Sequence, residues 1–101
     1  MKQQTDITRS SGNVFADLGF DDAEAQLMAM RTDLMIELEK TIARRGLTQA
    51  AAGKLLGVSQ ARVSDLIRRK AERFSLDMLV TFAARLGRPT RLTLGRAPRR
   101  P

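Results

Sequence analysis

The chain's fold turns on Gln49-Ala50-Ala51-Ala52-Gly53-Lys54-Leu55-Leu56-Gly57-Val58-Ser59-Gln60-Ala61-Arg62-Val63-Ser64-Asp65-Leu66-Ile67. Along it, a helix of about two turns ends at Gly57, a three-residue turn follows, and a second helix opens at Gln60. Gly57 stands where the chain must take a positive φ to turn sharply. Ala52 and Gly53 fall where the two helices cross, a place that admits a methyl group or nothing. A glycine inside a helix costs roughly 1 kcal/mol against alanine, so Gly53 is expected to be there for close packing. Leu56, Val58, Val63 and Leu66 point into the joint core, with Ile67 beside them.

With those residues inward, the second helix presents Ala61, Asp65 and Arg68 outward, flanked by Arg62, Ser64 and Arg69, with Gln60 at its start. Such a face offers donors, acceptors and a methyl group, which is the chemistry that reads base edges in a major groove. Arg suits guanine, Gln suits adenine, and a methyl group suits thymine. Backbone amides at the two helix starts, near Gln49 and at Ser59-Gln60, can meet phosphates. Arg68, Arg69, Lys70 and Arg73 are placed to grip the backbone. The candidate DNA-contacting residues are therefore Gln49, Ser59, Gln60, Ala61, Arg62, Ser64, Asp65, Arg68, Arg69 and Lys70. Asp65 repels phosphate and is expected instead to pair with Arg62, Arg68 or Arg69 and hold them in place.

Charge agrees with that reading. The chain has 101 residues and a net charge of +7, divided unevenly. Residues 1–47 carry six Lys/Arg against eight Asp/Glu, and residues 48–101 carry twelve against three. A basic half joined to a mildly acidic one implies an anionic partner on one side. A length of 101 residues allows one small domain. The chain has no Cys and no His, so disulfides, thiolate metal sites and the commonest general base are absent. Asp21, Asp22 and Glu24 read as acids capping a helix start rather than as metal ligands. No catalytic residue, metal or cofactor is assigned, and an enzyme is not expected.

Working outward, residues 1–13 are polar and read as a flexible arm. Val14, Phe15, Leu18 and Phe20 are too apolar for a free tail and must cover the protein's own helices or a partner. Asp21 and Glu24 form the sequence pattern of a capping box. Leu27, Met30, Leu34, Leu38 and Ile42 then recur at helical spacing, and Thr32-Asp33 leaves open whether this region is one helix or two. Met28, Met30, Met35 and Met78 read as core. Leu47-Thr48, Val58-Ser59 and Phe74-Ser75 each place an apolar residue before a Ser or Thr cap, facing Ala52, Val63 and Leu79 respectively. The last helix carries Leu76, Leu79, Val80, Ala83 and Leu86 inward and stops at Gly87. Residues 90–94 alternate like a half-buried strand, and their best use is pairing with a second copy through Leu92 and Leu94. Residues 96–101 are basic and proline-interrupted, a tail expected to be disordered.

The 49–67 stretch resembles the lambda-repressor/Cro type of helix-turn-helix, the XRE family, whose pattern runs Gln, small, Gly, Val, Ser, Val in this order. The resemblance covers roughly residues 34–86. The wider chain, with SGNVFADLGF before the helices, FSLDMLVTFAARLG after the reader and a final strand, resembles the HigA-like XRE antitoxins of type II toxin–antitoxin pairs. Three positions depart from the pattern: Ala51 stands for a usual Glu, Ala61 for a frequent Pro, and Arg69 for a frequent Gly. Arg69 removes a helix-stop residue, so the reading helix is expected to run on.

The resemblance implies an all-α, lambda-repressor-like bundle of about five helices with a short C-terminal β-strand used in dimerisation. The domain plan is an arm at 1–20, the DNA-binding domain at 21–88, the dimerisation strand at 89–95 and the tail at 96–101. It further implies a homodimer on a palindromic operator, an autorepressor, and a small RelE-fold (HigB-like) toxin docking on Val14, Phe15, Leu18 and Phe20. A stand-alone XRE-type repressor without a toxin is the alternative. The opening residues lack the apolar run of a secretory leader, and no stretch approaches the ~18 apolar residues of a membrane helix. A cytoplasmic protein with no membrane partner is expected.

Overall fold

A computed structural model of the chain describes residues 18–95. Among these, four α-helices and one short 3-10 turn form a bundle: α1 (Asp22–Arg44), α2 (Gln49–Leu56), α3 (Gln60–Ile67), the turn Ala71–Arg73, and α4 (Leu76–Arg85). Among the described residues there is no fifth helix, because α1 is continuous for 23 residues. Thr32 and Asp33 are weak helix formers, but neither removes a backbone bond as proline does, and their joint cost is about 1 kcal/mol.

Every helix start uses the cap its sequence announces. Glu24 N–H donates to Asp21 Oδ1 at 2.8 Å, and Asp21 N–H donates to Glu24 Oε1 at 3.2 Å, which completes the capping box. Thr48 accepts from Ala51 N–H at 3.0 Å, Ser59 from Arg62 N–H at 3.1 Å, and Ser75 from Met78 N–H at 3.2 Å. Ala52, Val63 and Leu79, the first-turn apolar partners of these caps, are fully buried.

The core gathers Met35, Leu38 and Ile42 from α1, Ala52 and Leu56 from α2, Val63 and Leu66 from α3, and Leu79, Phe82, Ala83 and Leu86 from α4, with Phe74 between α3 and α4. Phe74 meets Phe82 edge to face, ring centroids 6.2 Å apart. The sequence stripe on α1 holds only in part. Leu34 packs against this core, whereas Leu27 lies outside it and is 39% exposed. At 1.5 Å per residue α1 is about 35 Å long and its short partners about 12–15 Å, so they cannot cover its whole length. Met28, Met30 and Met78 are half-buried, and Met35 alone of the four assigned methionines is fully enclosed.

Long-range hydrogen bonds tie the helix ends together. Arg85 Nη1 donates to Leu56 O at 2.6 Å, bracing the end of α2 from α4. Arg45 Nη1 donates to Leu86 O at 3.2 Å. Arg88 Nη1 donates to Thr41 Oγ1 at 2.8 Å and pairs with Glu37 at 3.2 Å. Thr41 is the buried polar residue of α1, and its hydroxyl also donates to Glu37 O at 2.8 Å. That hydroxyl is therefore fully used, as a buried polar group must be.

The reading helix does not run on as expected. It ends at Ile67, Arg68 is the cap, and Arg69 takes φ +58°. Arg69 N–H donates to Leu66 O at 3.0 Å and Lys70 N–H to Asp65 O at 3.1 Å. These reversed bonds close a helix at a left-handed residue whether or not it is glycine. The same closure ends α1 at Gly46 and α4 at Gly87. An L residue in that conformation costs roughly 1–2 kcal/mol, while the exposed Arg69–Glu39 pair returns about 0.5 kcal/mol. Arg69→Gly is therefore expected to raise stability by about 0.5–1 kcal/mol, a few degrees in Tm, and by more in a Glu39→Gln background. Calorimetry on the four proteins checks this, and a lower Tm in both backgrounds would contradict it.

The expected C-terminal strand is also absent. Residues 90–94 form no strand, and Leu92 and Leu94 are 70% and 98% exposed. Alternation supplies side-chain periodicity, but a strand needs a neighbouring backbone to bond with, and among the described residues none pairs with it. Among the described residues, no helix is long and apolar enough to cross a membrane.

Candidate nucleic-acid interface

α2 packs closely on the turn that leads into α3. A Cβ built on Gly53 would lie 2.7 Å from Val58 O, so the α2 backbone rests directly on the turn. Gly57 takes φ +77°, and Val58 N–H returns to Gly53 O at 2.9 Å. With Val63 and Leu66 buried, α3 is rolled so that its polar residues look outward. Gln60 and Ala61 at its first turn are exposed, and Ser64 is half-buried on the next. Gln49, at the start of α2, is half-buried. Ser59 is exposed, and its oxygen already accepts the capping bond, which leaves its O–H available to donate.

The cations lie beyond the C-terminal end of α3. Arg68 is exposed and has no ion-pair partner among the described residues. Arg69 pairs with Glu39 of α1 at 2.7 Å. Lys70 lies 3.8 Å from Asp65, and Arg73 lies 3.2 Å from it. Asp65 does hold cations, but they are Lys70 and Arg73 rather than the expected Arg62, Arg68 or Arg69. The early stop of α3 folds the 70–73 segment back beside Asp65, while Arg68 and Arg69 leave in other directions.

Arg62 departs furthest from the outward row. Its guanidinium carbon sits 4.3 Å from the centroid of the Phe74 ring. One of its nitrogens donates to Arg73 O at 3.0 Å and approaches Met78 Sδ at 3.8 Å. The structure thus brings together Gln60, Ala61 and Ser64 on one face, with Arg68 to Lys70 at its edge, and turns Arg62 away. Val14 and Phe15 lie outside the described residues. Leu18 is 70% exposed, and Phe20 is half-buried. Sequence reasoning missed Glu39 and Phe74 as partners of this region. Phe74 was legible only as the apolar residue before a cap, and the ring face it gives to Arg62 had no sequence signal.

A short helix braced against a second across a left-handed turn, with a bare polar face and cations past its end, defines a helix-turn-helix DNA-binding domain. Residues 14–93 match the family described as a helix-turn-helix domain. A solved structure assigned as an XRE family transcriptional regulator superposes with a TM-score of 0.68 at 33% sequence identity, covering 72% of this chain and 82% of that one. No curated protein matches the chain. The chain belongs to the XRE family of helix-turn-helix transcriptional regulators.

Proposed function

We propose that the protein is a sequence-specific repressor that binds a palindromic operator as a homodimer and serves as the antitoxin of a toxin–antitoxin pair. The observation that carries the repressor reading is the face of exposed Gln60 and Ala61 and half-buried Ser64, with exposed Arg68 past its end. In this reading α3 enters the major groove, and Gln60, Ala61 and Ser64 meet base edges. Gln49, Ser59, Arg68, Arg69 and Lys70 meet phosphates. Two copies would present their reading helices about 34 Å apart, one turn of the duplex. Leu92 and Leu94, far more exposed than isolated leucines need be, support contact between the copies.

The antitoxin role rests on the HigA-like resemblance and on Leu18, an exposed leucine continuing the apolar run of Val14 and Phe15. Its partner is a small RelE-fold toxin. The half-buried Phe20 favours a second reading, in which the run packs on the protein's own helix and the repressor works alone. Co-expression with the small protein encoded beside it separates the two. Rescue of growth and co-purification, both lost on deleting residues 13–20, are expected for the antitoxin. A harmless or unbound neighbour leaves the stand-alone repressor.

A further inference from the structure

Arginine is the side chain best suited to reading guanine in a major groove, and Arg62 is the arginine within the reading helix itself. Yet three separate contacts draw it the other way: the Phe74 ring at 4.3 Å, Arg73 O at 3.0 Å and Met78 Sδ at 3.8 Å. Phe74 is 2% exposed and packs edge to face on Phe82, so the surface under the guanidinium is fixed in the core. Arg73, whose carbonyl accepts from Arg62, is itself held to Asp65 at 3.2 Å, one turn further along α3. The first and second turns of α3 are thus fastened to the same 70–74 segment by opposite charges. Arg62 N–H also donates to the Ser59 cap, which fixes the backbone at the same point.

We infer that Arg62 is a positioning residue that sets how α3 sits against the 70–74 segment, and that base choice falls to Gln60, Ala61 and Ser64. The inference rests on the DNA-reading role proposed for α3. It has a consequence for the ligand. Gln pairs with adenine, a methyl group favours thymine, and a serine hydroxyl accepts either. With the helix's own arginine withdrawn, the centre of each half-site is A·T-rich and owes no guanine to Arg62. The remaining cations, Arg68 to Lys70, stand past the end of the helix and meet the backbone.

Selection from randomised duplexes tests this, using the full chain and the variants Gln60→Ala, Arg62→Gln and Phe74→Leu, each confirmed folded by circular dichroism at the assay temperature. The unsubstituted protein is expected to enrich a half-site with an A·T centre. Gln60→Ala should lose preference at one adenine, by about tenfold or more. Arg62→Gln should keep the preferred sequence while its ratio of specific to random-sequence affinity falls several-fold, with an unchanged salt slope. A contribution to fold stability alone would leave that ratio untouched in a folded protein. Phe74→Leu, which removes the ring without altering α3, should reproduce the fall, and would carry the test if Arg62→Gln did not fold. Loss of a guanine preference in Arg62→Gln would overturn the inference and leave the DNA-reading role standing. Failure of the unsubstituted protein to enrich any sequence would overturn both.

Discussion

Gly53→Ala is expected to destabilise the protein by about 2 kcal/mol, lowering Tm by roughly 10 °C, although helix propensity alone gives the opposite sign. In an unconstrained helix the change would stabilise by about 1 kcal/mol, since alanine loses less backbone freedom on folding. Here the added methyl group would stand 2.7 Å from Val58 O, with Ser59 C at 3.4 Å and Gln60 N at 3.5 Å. All three are backbone atoms, so no side-chain rotation relieves the overlap, and α2 must move away from the turn. The turn also carries the Ser59 cap, so the start of α3 shifts with it. Specific DNA binding should therefore fall even well below the melting temperature. Thermal melts and operator titrations of the one variant check both effects. A rise in Tm would show that the crossing is loose and that Gly53 has some other reason to be there.

Replacing Arg68, Arg69 and Lys70 together by alanine should weaken binding to any duplex, whatever its sequence, by about a hundredfold near 0.15 M salt. Each phosphate contact releases about 0.9 counterion, worth roughly 0.7 decade of affinity at that concentration. The plot of log affinity against log salt should become shallower by two to three units. Sequence preference should survive, because these side chains lie past the end of α3, and Gln60, Ala61 and Ser64 are untouched. The pairs Arg69–Glu39 and Lys70–Asp65, at 2.7 Å and 3.8 Å, reduce what each cation can give to phosphate. Arg68, without such a partner among the described residues, should account for the largest single loss. Titrations at several salt concentrations decide the matter, and an unchanged slope would mean that the phosphates are held elsewhere.

What could be read from the chain beforehand was whatever is decided within about five residues. Asp21 with Glu24, Thr48, Ser59 and Ser75 all cap as their spacing requires, because a cap satisfies amides only two or three positions away. Gly57 and Gly53 were legible for the same reason. The direction of Arg62 was not, since it depends on a ring twelve positions later and on a carbonyl that comes close only after the 3-10 turn has formed. Arg69 misled because stop signals are read from residue type, whereas here the backbone bonds of Leu66 and Asp65 impose the stop on an arginine. Leu27 and the 90–94 segment misled differently. Periodicity records which way side chains point, not whether another element arrives to cover them.

The helix ends carry one more consequence, for the order in which the molecule assembles. α1, α3 and α4 each close through a pair of hydrogen bonds spanning only a few positions, and α2 closes at Gly57 in the same local manner. Each helix therefore carries its own stop, while rods of eight to ten residues gain lasting stability only as they dock. Small helical bundles fold on the microsecond-to-millisecond scale. A protein remade often, or released from a partner and required to act at once, gains from such speed. The reading helix would have its final length from the first moment that the rods come together.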